Sequence, residues 1–289
     1  MMCRHPYVKD PTGKCFSPFV TDGSPRDGVP FPCGQCLPCR INKRRVWTHR
    51  MILEASLQPD NAFVTLTYDE EHLPDGGVLV KKHLQDYMKR LRRKLEPLKI
   101  RYYACGEYGT LTHRPHYHII VFGYPPSDVY GKVWDFGHVE VGEVTPDSIQ
   151  YVAGYVAKKL AYKFRDLVPE FALMSRRPGI GYQALEDVAK LMEDPNFRNY
   201  LGLQGDVPAG LMHGRKFYPF GRFLKEKLRA LCSLSFDPEP YYQEIRDGYY
   251  AWLKSDDTHK FYKDYLVSLD DNKAKHQAAR QKIFSRHVL

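Results

Sequence analysis

Two histidines two residues apart, in the run Arg114-Pro115-His116-Tyr117-His118-Ile119-Ile120-Val121-Phe122, have the spacing of a metal-binding pair. Side chains alternate along a strand, so both imidazoles project from one face, where they can share a cation. The apolar run Ile119 to Phe122 calls for cover on both faces and hence for a central strand. A third ligand is needed. Glu107, on the strand that precedes the pair, reaches the same face if the intervening loop is tight. Two imidazoles and one carboxylate suit Mn²⁺ or Mg²⁺ with positions left open for phosphate oxygens, and histidine makes the site acceptable to Zn²⁺ as well. In isolation a His-x-His pair serves equally well to hydrogen-bond within a sheet, so its context has to decide.

That context is the segment Tyr151-Val152-Ala153-Gly154-Tyr155-Val156-Ala157-Lys158. At about 100° per residue Tyr151, Tyr155 and Lys158 form one narrow stripe, with Ile149, Val152, Val156 and Leu160 roughly opposite. Core tyrosines would be mixed among the valines; a separate Tyr/Tyr/Lys stripe points to a polar cleft. Phenol is a poor nucleophile at neutral pH because its pKa is about 10. Attack on a phosphodiester therefore requires a positioned phosphate with its charge neutralised. A metal polarising a non-bridging oxygen supplies that, while Lys158 shields the phosphate or orients the metal's water. The expected product is a tyrosine linked to a DNA 5′ phosphate, with a free 3′ hydroxyl.

A second cluster lies upstream. Cys33, Cys36 and Cys39 follow a C-x2-C-x2-C spacing, and Cys3, His5 or Cys15 could complete a tetrahedral structural zinc site in a segment without a core of its own. An iron-sulfur cluster is the minor alternative. Seven cysteines, an odd number, fit a reducing compartment better than a secreted disulfide framework. Cys105 and Cys232 stand alone and are expected in the core. Basic stretches at Arg40 to Arg45, Lys81 to Lys94 and Arg215 to Arg229 offer cations for DNA phosphates, with Tyr102, Tyr103, Tyr108 and Tyr117 available to stack bases.

The elements that must position these groups follow from periodicity. Residues 62–68 (AFVTLTY) read as a strand, and Leu84, Tyr87, Met88, Leu91 and Leu95 mark an amphipathic basic helix. Residues 100–105 and 116–122 then form a hairpin, 138–144 a further short strand, and Pro146 opens a helix reaching about Phe164. The order predicts an α+β fold: an antiparallel sheet with flanking helices, of the ferredoxin-like or RRM-like type. Seven prolines among the first forty residues make that segment loop-built, with a basic helix from Ile41 to Leu57 after it. Helices are expected at 182–192, 220–231 and through much of 241–284. The resulting organisation is a Cys- and Pro-rich segment at 1–60, a main domain at 61–165 and a mainly helical C-terminal extension at 166–289. With 43% hydrophobic and 27% charged residues the chain should fold, and a net charge of +9 favours a polyanionic partner. No apolar run approaches the ~20 residues needed to cross a bilayer, so no membrane partner is expected.

Taken together, His116-Tyr117-His118 with Tyr151, Tyr155 and Lys158 resembles the second and third motifs of HUH endonucleases, and Phe63-Val64-Thr65-Leu66-Thr67-Tyr68 resembles the first. The match covers about Phe63 to Lys159. The joint order of the three motifs is specific, although each alone is weak. The paired tyrosines, Cys-Gly-Gln-Cys-Leu-Pro-Cys upstream and Gly106-Glu107-Tyr108-Gly109 before Arg114-Pro115-His116 are similar, more narrowly, to the replication initiation proteins of microviruses, especially the gokushovirus branch. The resemblance implies a site-specific single-stranded DNA endonuclease and strand transferase that starts rolling-circle replication of a circular phage genome. It implies Glu107 as the acidic ligand beside His116 and His118. One tyrosine would nick the origin and the other cut the regenerated origin, with no nucleotide cofactor. No Walker-type motif is present, so a host helicase and a host DNA polymerase are the expected partners, in the cytoplasm of an infected bacterium. A non-catalytic DNA-binding protein and an HUH transposase or plasmid initiator are the alternatives.

Overall fold

A computed structural model of the protein describes residues 7–9, 15–16, 30–109, 112–158, 168–197, 201, 205–235, 243 and 247. The expected helices at 241–284, and Cys3 and His5, lie outside the described residues apart from Gln243 and Asp247. The chain divides into two compact units, Lys43–Phe236 and the two terminal stretches Met1–Asn42 with Asp237–Leu289. In the terminal unit β1 (Tyr7–Lys9) pairs antiparallel with both β2 (Cys15–Phe16) and β3 (Pro30–Phe31). Helix α1 (Leu37–Ala55) then runs on into the larger unit.

The larger unit is built on an antiparallel sheet of five strands: β4 (Asn61–Tyr68), β5 (Arg101–Tyr108), β6 (Pro115–Phe122), β7 (Gly137–Glu143) and β8 (Phe171–Met174), in the order β7-β4-β6-β5-β8. Helix α2 (Lys81–Lys94) follows β4, and α3 (Pro146–Lys158) follows β7. This is the α+β arrangement expected from the periodicities. β6 takes the centre because Ile119 to Phe122 are apolar on both faces, and every one of them is buried.

Each sheet face packs a different layer. Val64, Leu66, Tyr117 and Ile119 pack with Leu84, Tyr87 and Leu91 of α2 on one side. Tyr103, Cys105 and Ile120 pack with Met51 of α1 and Ile149, Val152 and Tyr155 of α3 on the other. β4 shows the alternation most plainly: Ala62, Val64, Leu66 and Tyr68 are buried, whereas Phe63, Thr65 and Thr67 on the opposite face are half-exposed. α1 is tied to the sheet by buried Glu54, which accepts from Arg101 of β5 and from the Gly181 backbone N–H at 2.6 Å.

Beyond residue 165 the expectation of mainly helical structure needs amending. β8 adds an edge to the main sheet, and β9 (Gly210–His213) and β10 (Lys216–Pro219) form a hairpin. These strands are four residues long, too short for the two-residue alternation to stand out in the sequence. The expected helices are present but shorter at one end, as α4 (Leu185–Leu191) and α5 (Gly221–Leu231). They pack together through Leu185, Val188, Leu224 and Leu228.

Asp206 fastens α5. Its carboxylate accepts from Arg229 Nε at 2.6 Å and Nη2 at 2.8 Å, and from Lys225. Burial alone would raise this carboxyl, but the hydrogen bonds from Arg229 and Lys225 outweigh it and hold it down at about 2. A depressed carboxylate pKa contributes stability that is complete above the ordinary value of about 4 and is lost as pH falls through the folded-state value. Asp206→Asn should therefore cost about 1–2 kcal/mol at neutral pH. In thermal melts the gap between wild type and variant should close between about pH 4 and pH 2; a gap that stays constant across that window would show that the carboxylate charge contributes nothing.

Candidate active site

The site grows from two rungs of the ladder across β4, β6 and β5. His116 lies opposite Thr67 on one side and Glu107 on the other; His118 lies opposite Thr65 and Cys105. The register thus places Glu107 beside the histidines directly. The tight turn that permits this is closed by Gly109 N–H donating to the Arg114 carbonyl at 3.0 Å and His113 N–H to the Gly109 carbonyl at 3.0 Å.

Glu107 Oε1 lies 2.7 Å from His116 Nε2 and 3.0 Å from His118 Nε2. Glu107 is 3% exposed and His118 6%, so bulk water cannot satisfy these groups. His116 Nδ1 sits 3.1 Å from the Arg114 carbonyl, which can only accept, so Nδ1 carries the hydrogen. The Nε2 facing Glu107 is then a bare lone pair unless the ring is cationic. His118 follows the same pattern, with Nδ1 3.1 Å from Thr65 Oγ1 and Nε2 toward the carboxylate. Three electron-rich atoms converging on one buried point fit a cation. Outer partners that fix the ring orientation, here Arg114 O and Thr65 Oγ1, are the usual companions of metal-bound imidazoles. The three residues have one ligand atom each within 4.8 Å of one another.

α3 brings the tyrosines to this point. It starts in a reciprocal capping box: Ser148 N–H donates to Thr145 Oγ1 at 3.1 Å and Thr145 N–H to Ser148 Oγ at 2.9 Å, with Pro146 at the first helical position. The Tyr151 hydroxyl lies 3.4 Å from Glu107 Oε1 and 3.5 Å from His118 Nε2. Tyr155, one turn on, stacks its ring on His118 with centroids 5.7 Å apart and planes at 15°. Its hydroxyl hydrogen-bonds that of Tyr151. Burial first, and then the negative charge of Glu107, push the Tyr151 hydroxyl up to about 12 and raise that of Tyr155 as well. Phenolate formation here calls for positive charge at the cluster.

The expected separation of the tyrosine stripe from the aliphatic face holds only in part. Tyr151 is half-buried, but Tyr155 is 4% exposed and packs with Ile149, Val152 and Ile120. Only the backbone of Lys158, the last residue of α3, is described. Of the tyrosines expected to stack bases, Tyr103 and Tyr117 are fully buried. Tyr117 points away from the histidines into the other face, where its hydroxyl meets Tyr68 at 2.7 Å and the Val80 carbonyl at 2.9 Å. Strand alternation between His116 and His118 already demanded that. Tyr102 and Tyr108 remain partly accessible.

Three participants carried no sequence signal strong enough to name them. Phe63 stacks on His118 at 5.6 Å and 11°, and Thr65 orients the same ring. Both follow from the half-exposed face of β4 once its register is known. Arg44 of α1 donates to the Gln150 carbonyl at 3.1 Å, placing a guanidinium against α3 beneath Gly154. Its sequence separation from α3 hid it. Cys105 is a core residue as expected, and forms part of the floor under His118.

In the terminal unit, Cys33, Cys36 and Cys39 bring their sulfurs within 4.8 Å of one another at the start of α1. Cys33 Sγ accepts from Gln35 N–H at 3.4 Å and Cys36 N–H at 3.3 Å. Such N–H donation stabilises thiolate character, which suits a soft metal. Cys3 lies outside the described residues, and of Cys15 only the backbone is described. Cys232 is half-buried against Met192.

Residues 61–160, which contain both histidines, Glu107 and both tyrosines, match the model of the replication-associated protein ORF2 family. The chain is 35% identical over 240 residues to the replication-associated protein VP4 of Bdellovibrio phage phiMH2K, a stretch covering 71% of this chain and 75% of that one. It is 36% identical over 179 residues to the replication-associated protein ORF2 of Spiroplasma virus 4, covering 52% and 56% of the two chains. To the replication-associated protein ORF4 of Chlamydia phage 1 it is 32% identical over 243 residues, covering 75% and 58%. No solved structure matches the chain. With its histidine cluster, its tyrosine helix and four of the five main-sheet strands inside the matched stretch, the chain belongs to the replication-associated protein family of these small phages.

Proposed function

We propose that this protein nicks and rejoins single-stranded DNA at a phage replication origin, as an HUH-type tyrosine endonuclease that starts rolling-circle replication in the cytoplasm of an infected bacterium. The carrying observation is the Tyr151 hydroxyl 3.4 Å from Glu107 Oε1, within the Glu107, His116 and His118 cluster. Those three residues would hold Mn²⁺ or Mg²⁺, which when bound polarises a non-bridging phosphate oxygen and offsets the charge that develops in the transition state. Glu107 lowers the net charge of the ligand set and anchors both rings. Thr65 and the Arg114 carbonyl hold the Nδ1 hydrogens, so that both Nε2 lone pairs face inward.

Tyr151 is the first nucleophile in this reading, because its hydroxyl is the one at the cluster. Its oxygen bonds to phosphorus, the P–O3′ bond breaks, and the phenolic proton passes through water to the departing 3′ oxygen. The products are a 5′-phosphotyrosine and a free 3′ hydroxyl, from which a host polymerase extends while a host helicase unwinds. Tyr155 makes the second cut, and attack of a 3′ hydroxyl on the phosphotyrosine reseals the strand, restoring the phenol. Lys158, one turn beyond, shields the phosphate. Cys33, Cys36 and Cys39 hold a structural zinc ion, with Cys3 or Cys15 as the fourth ligand.

Incubating the full chain with Mn²⁺ and a single-stranded origin oligonucleotide should give a covalent protein-DNA adduct, visible as a gel shift that survives denaturation. Tyr151→Phe with Tyr155→Phe should abolish it, and Tyr151→Phe alone should reduce it more than Tyr155→Phe. An undiminished adduct in the double variant would place the nucleophile elsewhere. His118→Ala should lower Mn²⁺ affinity at least about 10–100-fold, the loss seen when even outer-shell partners of a ligand are removed. The wild type should gain about 2.7 kcal/mol at a hundredfold excess of Mn²⁺ over its Kd; if Mn²⁺ stabilises the variant equally, the ion binds elsewhere. Native mass spectrometry should find zinc in the wild type and lose it in Cys36→Ser with Cys39→Ser. Zinc retained by that variant would refute the cysteine site.

A further inference from the structure

The sheet face opposite Glu107 carries a second, differently built feature. Along β5, Cys105 packs on the α3 side and Ala104 on the α2 side, so Tyr102 shares the α2 face. α2 itself holds Lys81, Lys82, Lys89, Arg90, Arg92, Arg93 and Lys94 against one acidic residue, Asp86. Lys82 pairs with Asp86 and Arg90 with Asp135. Lys89, Arg92 and Arg93 have no ion-pair partner among the described residues. These three, with Met88, Glu96 and Tyr102, line an open groove of about 340 Å³. The Arg92 guanidinium lies over the Tyr102 ring at 5.0 Å.

Cations in the last turn of a helix are favoured by its dipole, which accounts for basic residues near residue 94. The dipole requires neither a concavity nor an aromatic ring beneath one of the cations. A guanidinium held flat on a ring keeps its N–H edge free for phosphate oxygens, a bidentate recognition that a solvated lysine does not provide. The groove can admit one unpaired nucleotide at a time, whereas a duplex presents a stiff convex surface that would ride on the crest of α2. Three cations beside a ring and the Met88 side chain match a phosphate backbone with an unstacked base.

We propose that this groove is a second single-stranded DNA site, separated by the thickness of the sheet from the histidine cluster and able to hold a strand while the tyrosine face is occupied. The choice of DNA rests on the proposed function; the existence of the site does not depend on cleavage.

The test is a calorimetric titration of the full chain with a non-origin single strand of about 10 nucleotides, too short to occupy both faces at once. Two equivalents should bind. The second should weaken with salt at a log-log slope of about −2, as three phosphate contacts require. Lys89→Ala with Arg92→Ala and Arg93→Ala should remove one equivalent, and the charge-preserving Lys89→Arg with Arg92→Lys and Arg93→Lys should retain it with reduced affinity. A single equivalent in the wild type, or two in the alanine variant, overturns the proposal; equal affinity of the second site for a short duplex overturns its assignment to single strands. Two equivalents without any covalent adduct at an origin oligonucleotide would sink the nicking reaction and leave the groove standing.

Discussion

The structure around the site depends on one electrostatic demand: Glu107 Oε1 and two imidazole Nε2 atoms converge on a single buried point, at 2.7 and 3.0 Å. Three acceptor lone pairs so close repel one another in a low-dielectric setting unless positive charge sits among them. The surrounding fold enforces that convergence. The Arg114 carbonyl and Thr65 Oγ1 capture the Nδ1 hydrogens, and the register of β6 between β4 and β5 leaves neither ring room to turn away. Each of these restraints alone costs little to break. Together they hold a configuration that the isolated side chains would avoid, which is how preorganised sites store the cost of binding in the folding of the scaffold.

A central strand buried on both faces is what makes such rigidity available. β6 has its apolar half, Ile119 to Phe122, locked between α2 on one side and α1 and α3 on the other, so His116 and His118 extend from a strand that cannot slip. A one-residue shift would carry both histidines to the α2 face and Tyr117 to the site. The bonds from Tyr117 to Tyr68 and Val80 oppose that shift from behind the sheet. Chemistry on one face is thus held in register by buried tyrosines on the other.

Most of the fold was legible because its signals are periodic and local. The His-x-His pair named its own face, the run from Ile119 to Phe122 named the central strand, and Pro146 marked the start of α3. Glu107 was reachable because a tight hairpin leaves few registers to choose from. What escaped was either short or distant. β8, β9 and β10 are too brief for alternation to rise above chance, and Arg44 meets α3 across more than a hundred residues. The reading of Tyr103 and Tyr117 as base-stacking groups failed for a different reason. Aromatic residues near a site serve both core and ligand, and only the parity of the strand separates the two uses.

The two tyrosines are not equivalent in this geometry, and that bears on how two transesterifications could share one cluster. Tyr151 meets His118 edge-on at 82° with its hydroxyl at the carboxylate, whereas Tyr155 lies flat on the same ring. One imidazole therefore positions both phenols, in two orientations. A helical turn separates their Cα atoms by about 5.4–6 Å, close to the distance between successive phosphates of an extended strand. Under the proposed function, a phosphate leaving Tyr151 need not be carried across the protein to involve Tyr155. Moving the strand by about one nucleotide along α3, or turning a single phenol about its χ1, exchanges the two roles while Glu107, His116 and His118 stay fixed.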